Sequence, residues 1–423
     1  MAIRCIGPGP SFGFGDRTGL ATPGHVAAAR SAGDGIFPVF AQQSIREMDR
    51  TRRSPERVMQ DALDGMSAAG WDAPSGSDAD HLKTAADVAA TAAAGFRDFT
   101  LDPSDHVDVA VDTDDAQTIE KKAFDVPDAS AWLADMRNRE IELDNGTHLK
   151  LDEPSVVRVI AKYGRAIHAL RDLGDAVAAA MRPLRQDFGI EISVDETPSP
   201  TTLAEHWIVA ELCQEHGMPL IAVAPAFPGA FEKGVDHRGD ADELRQAFAD
   251  HAAIARALGH YKLSLHSGSD KLSVYAELAR ATRGEVHVKT AGTSWLEALR
   301  VAARRDVALF RRIVRFSRER YEHERRTYHL SATLDNVPPP DMVDDAAELE
   351  RVYLGAPESL TPTRGYDDLG RQIVHCTYGV VWNHDELGSA IRALLEAEHT
   401  LHHQFLAEHF AMHLRALREG LGG

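Results

Sequence analysis

The chain has 423 residues, enough for one large domain or two ordinary ones, and at 43% hydrophobic and 26% charged it can bury a sizeable core. Its 46 basic and 65 acidic side chains leave a net charge of −19, which argues against nucleic acid or an anionic membrane as partner. The 3 cysteines, Cys5, Cys213 and Cys376, lie far apart with no CxxC pair, which argues against a disulfide framework or a thiolate metal site. The N-terminus "MAIRCIGPGPSFGFG" has no apolar core of signal-peptide length, and no run approaches the ~18 apolar residues of a bilayer span. The expectation is a cytoplasmic protein with reduced thiols.

Short apolar runs recur along the chain, each followed by a polar or Gly/Pro break and a helix-like stretch. The first two are "RCIGPG" (4–9) and "GIFPVFAQQS" (35–44). "SPERVMQDALDGMSAAG" follows as a helix, with Ser54 as N-cap, Pro55 at the first helical position and Gly70 as the stop. "WDAPSGSDADHLK" (71–83) is a poor strand by propensity and is placed by its position in the alternation alone. Next come the helix "TAADVAATAAAG" and the strand "FRDFTLDPSDH" (96–106). An insertion of roughly 107–188 follows, acidic at first and then strongly helical. The strands "IEISVDET" (190–197), "PLIAVAPAF" (219–227), "YKLSLHS" (261–267) and "GEVHVKT" (284–290) then alternate with helices.

Eight βα units predict a (β/α)8 barrel over residues 1–300. An open doubly wound sheet is the competitor, but "GPGPSFGFGDRTG" has the wrong spacing for a dinucleotide fingerprint. Beyond residue 294 the strand signals fade, and a C-terminal helical extension over 301–423 is expected to pack on the barrel. "PPPD" (338–341) reads as a bend within it.

Side chains alternate faces along a strand. Glu285, His287 and Lys289 therefore share a face, as do Lys262, Ser264 and His266; Glu191, Ser193 and Asp195; and Asp98, Thr100 and Asp102. Helices cover the outside of a barrel, so the apolar rows face out and the polar rows face in, where they are tolerated best at the carboxyl end. His266 and His287 both read as strand-end residues. Imidazoles from two neighbouring strands are thus expected to converge on one inward point, as a divalent cation requires. His81, flanked by Asp78 and Asp80, is the candidate third ligand. A hydrogen-bonded structural histidine is the competing reading of each. His399/His403 and His409/His413 are spaced i, i+4 without the Glu of an H-E-x-x-H pattern, and read as a packing helix. Asp102 either holds its loop or touches substrate.

The motifs "SFGFGDRTGLATPGHV", "FPVFAQQSIRE", "DADHLK", "FTLDPSDHV", "SVDET", "KLSLHSGSDK" and "HVKTAGTSWLEALR", with the C-terminal "HCTYG", resemble the tagaturonate epimerase family in their literal form and order. The resemblance implies a cytoplasmic enzyme dependent on a divalent metal, interconverting D-tagaturonate and D-fructuronate by inversion at C4. The family's metal histidines match His81, His266 and His287, its proton acceptor Asp80 and its proton donor Glu196. Strand alternation makes Asp195 the inward residue, with Glu196 a step beyond. A bulge or turn at a strand end re-aims a side chain, so Glu196 is carried over, and Asp195 stays a candidate metal-side group.

C4 of a 2-ketohexuronate is β to the ketone, so its C–H is not directly acidic. A retro-aldol cleavage of C3–C4 through a metal-held enediolate, with rotation of the aldehyde, is the preferred route. Hydride exchange at C4 would need a nicotinamide, for which there is no fingerprint. Lys83, Lys289, Arg17 and Lys271 are candidates for the substrate carboxylate, and Ser267, Asp270, Gln43 and Thr290 for its hydroxyls. Imidazole ligation suits zinc, nickel, manganese, iron or cobalt. The alternatives are a metal-dependent isomerase or aldolase on another keto sugar acid, or a non-catalytic sugar-acid binding protein. The C-terminal helices offer area for a homo-oligomer interface.

Overall fold

Pro8 and Pro10 have no N–H to give to a ladder. The segment 4–9, expected as the first strand, is therefore irregular, tied at its start by the Arg4 N–H to the Ser75 carbonyl at 3.0 Å. The strand begins just after it. In this computed structural model, which describes residues 2–422, the chain runs β1 (Ser11–Gly15), α1 (Thr22–Ala32), β2 (Phe37–Ser44), α2 (Ile45–Thr51), α3 (Pro55–Ala68), β3 (Gly76–Leu82), α4 (Ala85–Ala94) and β4 (Asp98–Leu101). It continues through α5 (Ala116–Phe124), α6 (Ala129–Met136), β5 (Arg139–Glu142), β6 (His148–Leu151) and α7 (Glu153–Met181). Then follow β7 (Gly189–Val194), α8 (Leu203–Glu215), β8 (Leu220–Pro225), α9 (Ala241–Ala257), β9 (Lys262–Leu265), α10 (Leu272–Ala281) and β10 (Val286–Thr290). The last part is helical: α11 (Thr293–Arg305), α12 (Val307–Glu324), α13 (Ala346–Leu354), α14 (Gly370–Cys376), α15 (Tyr378–Trp382), α16 (Asp385–Ala397) and α17 (His399–Gly420).

The expected (β/α)8 barrel is present. Strands β1, β2, β3, β4, β7, β8, β9 and β10 pair in parallel, in that order, and β10 closes on β1. Local signals agree with the fold. Ser54 caps α3 by accepting the Arg57 N–H, with Pro55 in the first turn. Thr84 and Asp87 form a capping box that starts α4 immediately after the functional strand β3.

Within the segment 107–188, α7 lies against α4 and α8, in the place of the barrel's fourth helix. The added material is α5, α6 and the β5–β6 hairpin, and α5 and α6 rest on α7. At the other end of the chain α17 lies against α1 and α10, in the place of the eighth helix. Leu406, Phe410, Leu414 and Leu417 form its buried row. Phe410 meets Phe12, Phe14 and His25 at ring-centroid distances of 6.2, 5.3 and 4.6 Å. Burying each such side chain stabilises the fold by roughly 1.5–3 kcal/mol. Gly24 permits the approach, because a Cβ there would stand 2.6 Å from the Leu406 Cβ.

Between β10 and α17 the chain builds a second apolar core around Trp295, Phe310, Ile373 and Trp382. This helical layer reaches the barrel mouth and delivers side chains to it. Among the described residues no helix is long and apolar enough to cross a membrane.

Candidate active site

The barrel interior is filled by the polar rows anticipated above, joined by one from β3. Lys262 and Ser264 of β9, His287 and Lys289 of β10, Asp78 and Asp80 of β3, Asp98 and Thr100 of β4, and Glu191 and Ser193 of β7 are all buried. Register sets their levels. His287 pairs with Ser264 and Val288 with Leu265, so Lys289, not His287, stands beside His266. His287 is the second residue of its strand and lies a layer below. Its Nδ1 is 2.8 Å from the Ser11 hydroxyl, which also accepts a hydrogen bond from the Lys262 ammonium at 2.7 Å. Burial pushes the His287 imidazole down to about 3, so it is neutral. His266 and His287 thus start from different layers, and His287 Nε2 is buried without a partner.

Lys289 is the hub of the upper layer, 2.7 Å from Asp78, 2.8 Å from Asp80 and 2.9 Å from Glu191, and it donates to Thr100 Oγ1 at 2.5 Å. Burial alone would discharge it, but these carboxylates outweigh burial and hold its pKa well above the usual lysine range.

His81 follows Asp80 directly and by alternation would face the helices. A register shift between Ala79 and Leu82, with a left-handed backbone at His81 (φ 54°), turns it to the mouth instead. Its Nδ1 donates to Asp102 at 3.1 Å, and Asp102 is itself fixed by the Ser104 N–H at 2.9 Å. The Nε2 atom faces the site, 3.9 Å from Asp80 Oδ1. Despite burial, Asp80 and Asp102 raise the His81 pKa above the ordinary value. His266 is held through Nε2 by Glu191 and lies 3.2 Å through Nδ1 from Asp195. The rings of His81 and His266 meet edge to face, 4.9 Å apart. One ligand atom from each of Asp80, His81 and His266 lies within 4.8 Å of the others. Two imidazoles and a carboxylate, with Asp102 orienting one ring, are a donor set that fits a divalent cation.

Above this group an inner chamber of about 50 Å³ opens into an outer one of about 450 Å³. Glu196 stands between them, 44% exposed and 4.0 Å from Arg46. The helical layer adds Tyr328 and His329, from the segment after α12, and His375 of α14. Both ring nitrogens of His375 are buried without a partner. Its ring occupies the space a Cβ on Gly292 would take.

The other expected substrate contacts divide. Ser267 and Lys289 line the inner chamber. Arg17 lines it too, but two of its nitrogens are bound to Glu47 at 2.6 and 2.8 Å. Gln43 faces away and donates to Glu47 at 3.1 Å; its neighbour Gln42 lines the chamber instead, with both amide atoms buried and unpartnered. Lys83 lies in a side cleft and braces the loop after β4, donating to Ser104 and Asp105 at 2.8 and 2.7 Å. Thr290 donates to the Gly13 carbonyl at 2.6 Å, between strands. Asp270 is buried behind the site, 2.9 Å from Arg371 and 3.1 Å from His409. Lys271 gives its protons to the carbonyls of Glu232 and Val235 at 2.7 and 2.5 Å. Sequence reasoning passed over Gln42, Arg46, His375 and Lys233. Lys233 had a signal, since "FPGAFEKG" directly follows an apolar strand at the end where barrel sites form.

The sequence profile of the tagaturonate epimerase family, UxaE, matches residues 3–417. The chain belongs to this family. It is 37% identical over 413 residues to the tagaturonate/fructuronate epimerase of Thermotoga maritima, an alignment that spans 96% of this chain and 80% of that protein. The glycerol-complexed crystal structure of fructuronate-tagaturonate epimerase UxaE from Cohnella laeviribosi superposes with a TM-score of 0.89 at 31% identity, over 98% of this chain and 83% of that one. A probable tagatose 6-phosphate kinase from Sinorhizobium meliloti, at a TM-score of 0.50 and 12% identity over 98% of this chain and 100% of its own, shares the fold alone. Membership of the UxaE family makes the chain an isomerase-class enzyme.

Proposed function

We propose that the protein interconverts D-tagaturonate and D-fructuronate with a divalent cation seated among Asp80, His81 and His266. The observation that carries this reading is the placing, in one cavity, of that donor group with a second carboxylate, Glu196, on the solvent side of it. When bound, such a cation supplies Lewis-acid polarisation of a ketone oxygen. His287, a layer below, supports the barrel interior in this reading rather than the cation.

The chain's own residues handle the proton and the geometry. Asp80 is fixed by Lys289 on the barrel axis, and Glu196 lies at the mouth. One carboxylate takes the O4 proton, and the C3–C4 electron pair moves to C3 as an enediolate forms over C2 and C3, leaving an aldehyde at C4. The aldehyde turns about C4–C5, C3 adds to its other face, and the other carboxylate returns a proton to O4. His375 and Gln42, with unpartnered polar atoms, receive the hydroxyls. The walls of the inner chamber exclude water during the turn.

The test is ¹³C NMR of D-tagaturonate incubated with metal-analysed protein in D₂O. The expected product is D-fructuronate that keeps its C4 hydrogen. Obligatory deuterium at C4 would sink the cleavage route, and absence of any product would sink the epimerase reading.

A further inference from the structure

The keto-hexuronate carries its carboxylate at the end away from the ketone. A buried carboxylate needs a cation that is not already spent. Three cations lining the chambers have partners: Lys289 has Asp78, Asp80 and Glu191, Arg17 has Glu47, and Arg46 has Glu196 at 4.0 Å. Lys233 differs. It lines both chambers, it has no carboxylate within ion-pair distance among the described residues, and its ammonium donates to the Ser267 hydroxyl at 2.9 Å. Burial, reinforced by Arg46 nearby, pulls its pKa below the usual lysine range, as expected for a cation awaiting an anion.

The loop around Lys233 is fastened on both sides. The Glu232 carboxylate accepts from Ser331 Oγ at 2.5 Å and from Gln372 Nε2 at 2.7 Å, and the Gly234 carbonyl accepts from Arg371 Nε at 2.6 Å. The Glu232 and Val235 carbonyls are tied to Lys271 at 2.7 and 2.5 Å. These anchors hold its neighbours in the chain, and the Lys233 ammonium is left to the cavity. That is the preorganisation a binding group needs. Ser267 directly follows His266, so this seat has a fixed offset from the donor group.

We propose that Lys233, with Ser267, seats the substrate carboxylate and selects uronates over uncharged ketohexoses. The assignment rests on the epimerase reading above. In that reaction the carboxylate belongs to the aldehyde fragment. Holding it keeps the fragment in the cavity and makes it pivot about C4–C5.

The test is steady-state kinetics of the metal-loaded full chain. Lys233→Met lowers kcat/KM for the keto-hexuronate by about 10- to 100-fold, mostly through KM, the scale of one charge-assisted hydrogen bond lost. The Ki of the uncharged ketohexose as a competitor stays within about 3-fold, and Lys233→Arg recovers most of the loss. Ser267→Ala, which is safe for folding, carries the same sign at about 3- to 10-fold. Unchanged uronate KM in both variants, or an equal loss of affinity for the uncharged competitor, overturns the assignment while leaving the epimerase standing. A wild-type chain that epimerises no keto-hexuronate removes the reading beneath it, and the proposal with it.

Discussion

The molecule holds two groups of one aspartate and two histidines whose ligand atoms lie within 4.8 Å of one another: Asp80, His81 and His266 at the barrel mouth, and Asp270, His409 and His413 behind it. Residue type and spacing do not distinguish them. Hydrogen bonding does. Behind the barrel, Asp270 is paired with Arg371 and His409 at 2.9 and 3.1 Å, and its N–H is given to His413 Nε2 at 3.0 Å. His413 Nδ1 bonds the His409 carbonyl at 3.0 Å, and Thr293 bonds His409 Nε2. Both nitrogens of His413 are thus used, and no lone pair is left for a ligand. At the mouth, His81 spends one nitrogen on Asp102 and turns the other to the cavity, and His266, with Glu191 at Nε2 and Asp195 3.2 Å from Nδ1, also lines that cavity, so its partners are acidic groups of the site itself. The group behind the barrel joins α17 to it, and the group at the mouth faces the cavity.

The sharpest way to break this contrast is to delete one histidine at the mouth. His266→Ala lowers kcat/KM by about 10³-fold or more, since even a group orienting a ligand is worth about 10- to 100-fold. Circular dichroism and the melting temperature change little, and bound metal is lost. An active His266→Ala enzyme with its full metal content would show that both groups are structural.

The converse deletion moves stability. Asp270→Ala leaves Arg371 buried and unpaired, at a cost of about 3–5 kcal/mol in urea unfolding, while metal content and KM of the folded fraction are unchanged. The pH dependence has a definite sign. Burial would raise the Asp270 pKa, but Arg371 and His409 hold it well below the ordinary carboxylate range. A depressed folded value means the stabilisation is complete above the unfolded pKa near 4 and is lost as pH falls through the folded value. The urea midpoint of the wild type should therefore drop on acidification below about pH 4, and Asp270→Asn should flatten that limb.

Asp102→Ala tests the link between loop and ligand. His81 keeps its place in the chain but loses the carboxylate that fixes its ring, so metal affinity should fall about 10- to 100-fold with a smaller change in stability. Titration calorimetry with the metal alone measures it. Undiminished affinity would mean that the left-handed backbone at His81 orients the ring by itself.

Particular residues show how far the sequence could be read. Alternation alone put Lys262, Ser264, Lys289, Glu191 and Thr100 inside the barrel, because parity is local to each strand. It could not say how high each residue sits. Height depends on the stagger between strands, which sets Lys289 rather than His287 level with His266. One warning was visible: three residues of β10 follow His287, whereas His266 lies beyond the end of β9. His81 defied parity through a bulge, and the carboxylates around it were the better guide. Asp270 misled because its motif neighbours face the site while its partners, Arg371 and His409, are 101 and 139 residues away in sequence. The amphipathic row of α17 was legible as a helix, but its docking between α1 and α10 is a tertiary fact.

The smallest expected effect separates the two regions by sign. Gln42 is buried in the inner chamber with neither amide atom bonded, and Gly13 leaves room for it, since a Cβ there would stand 3.1 Å from Gln42 Cγ. An unmet buried amide costs about 1–3 kcal/mol. Replacing it with a near-isosteric apolar side chain should relieve part of that cost. Gln42→Met is expected to raise the stability of the ligand-free protein by up to about 1 kcal/mol, and to raise KM about 3- to 10-fold because a substrate hydroxyl loses its partner. In the Asp270 group every such truncation destabilises, because each polar atom there is already committed within the protein. Loss of both stability and affinity in Gln42→Met would place this residue with the structural group, and the inner chamber would then have one fewer contact for its substrate.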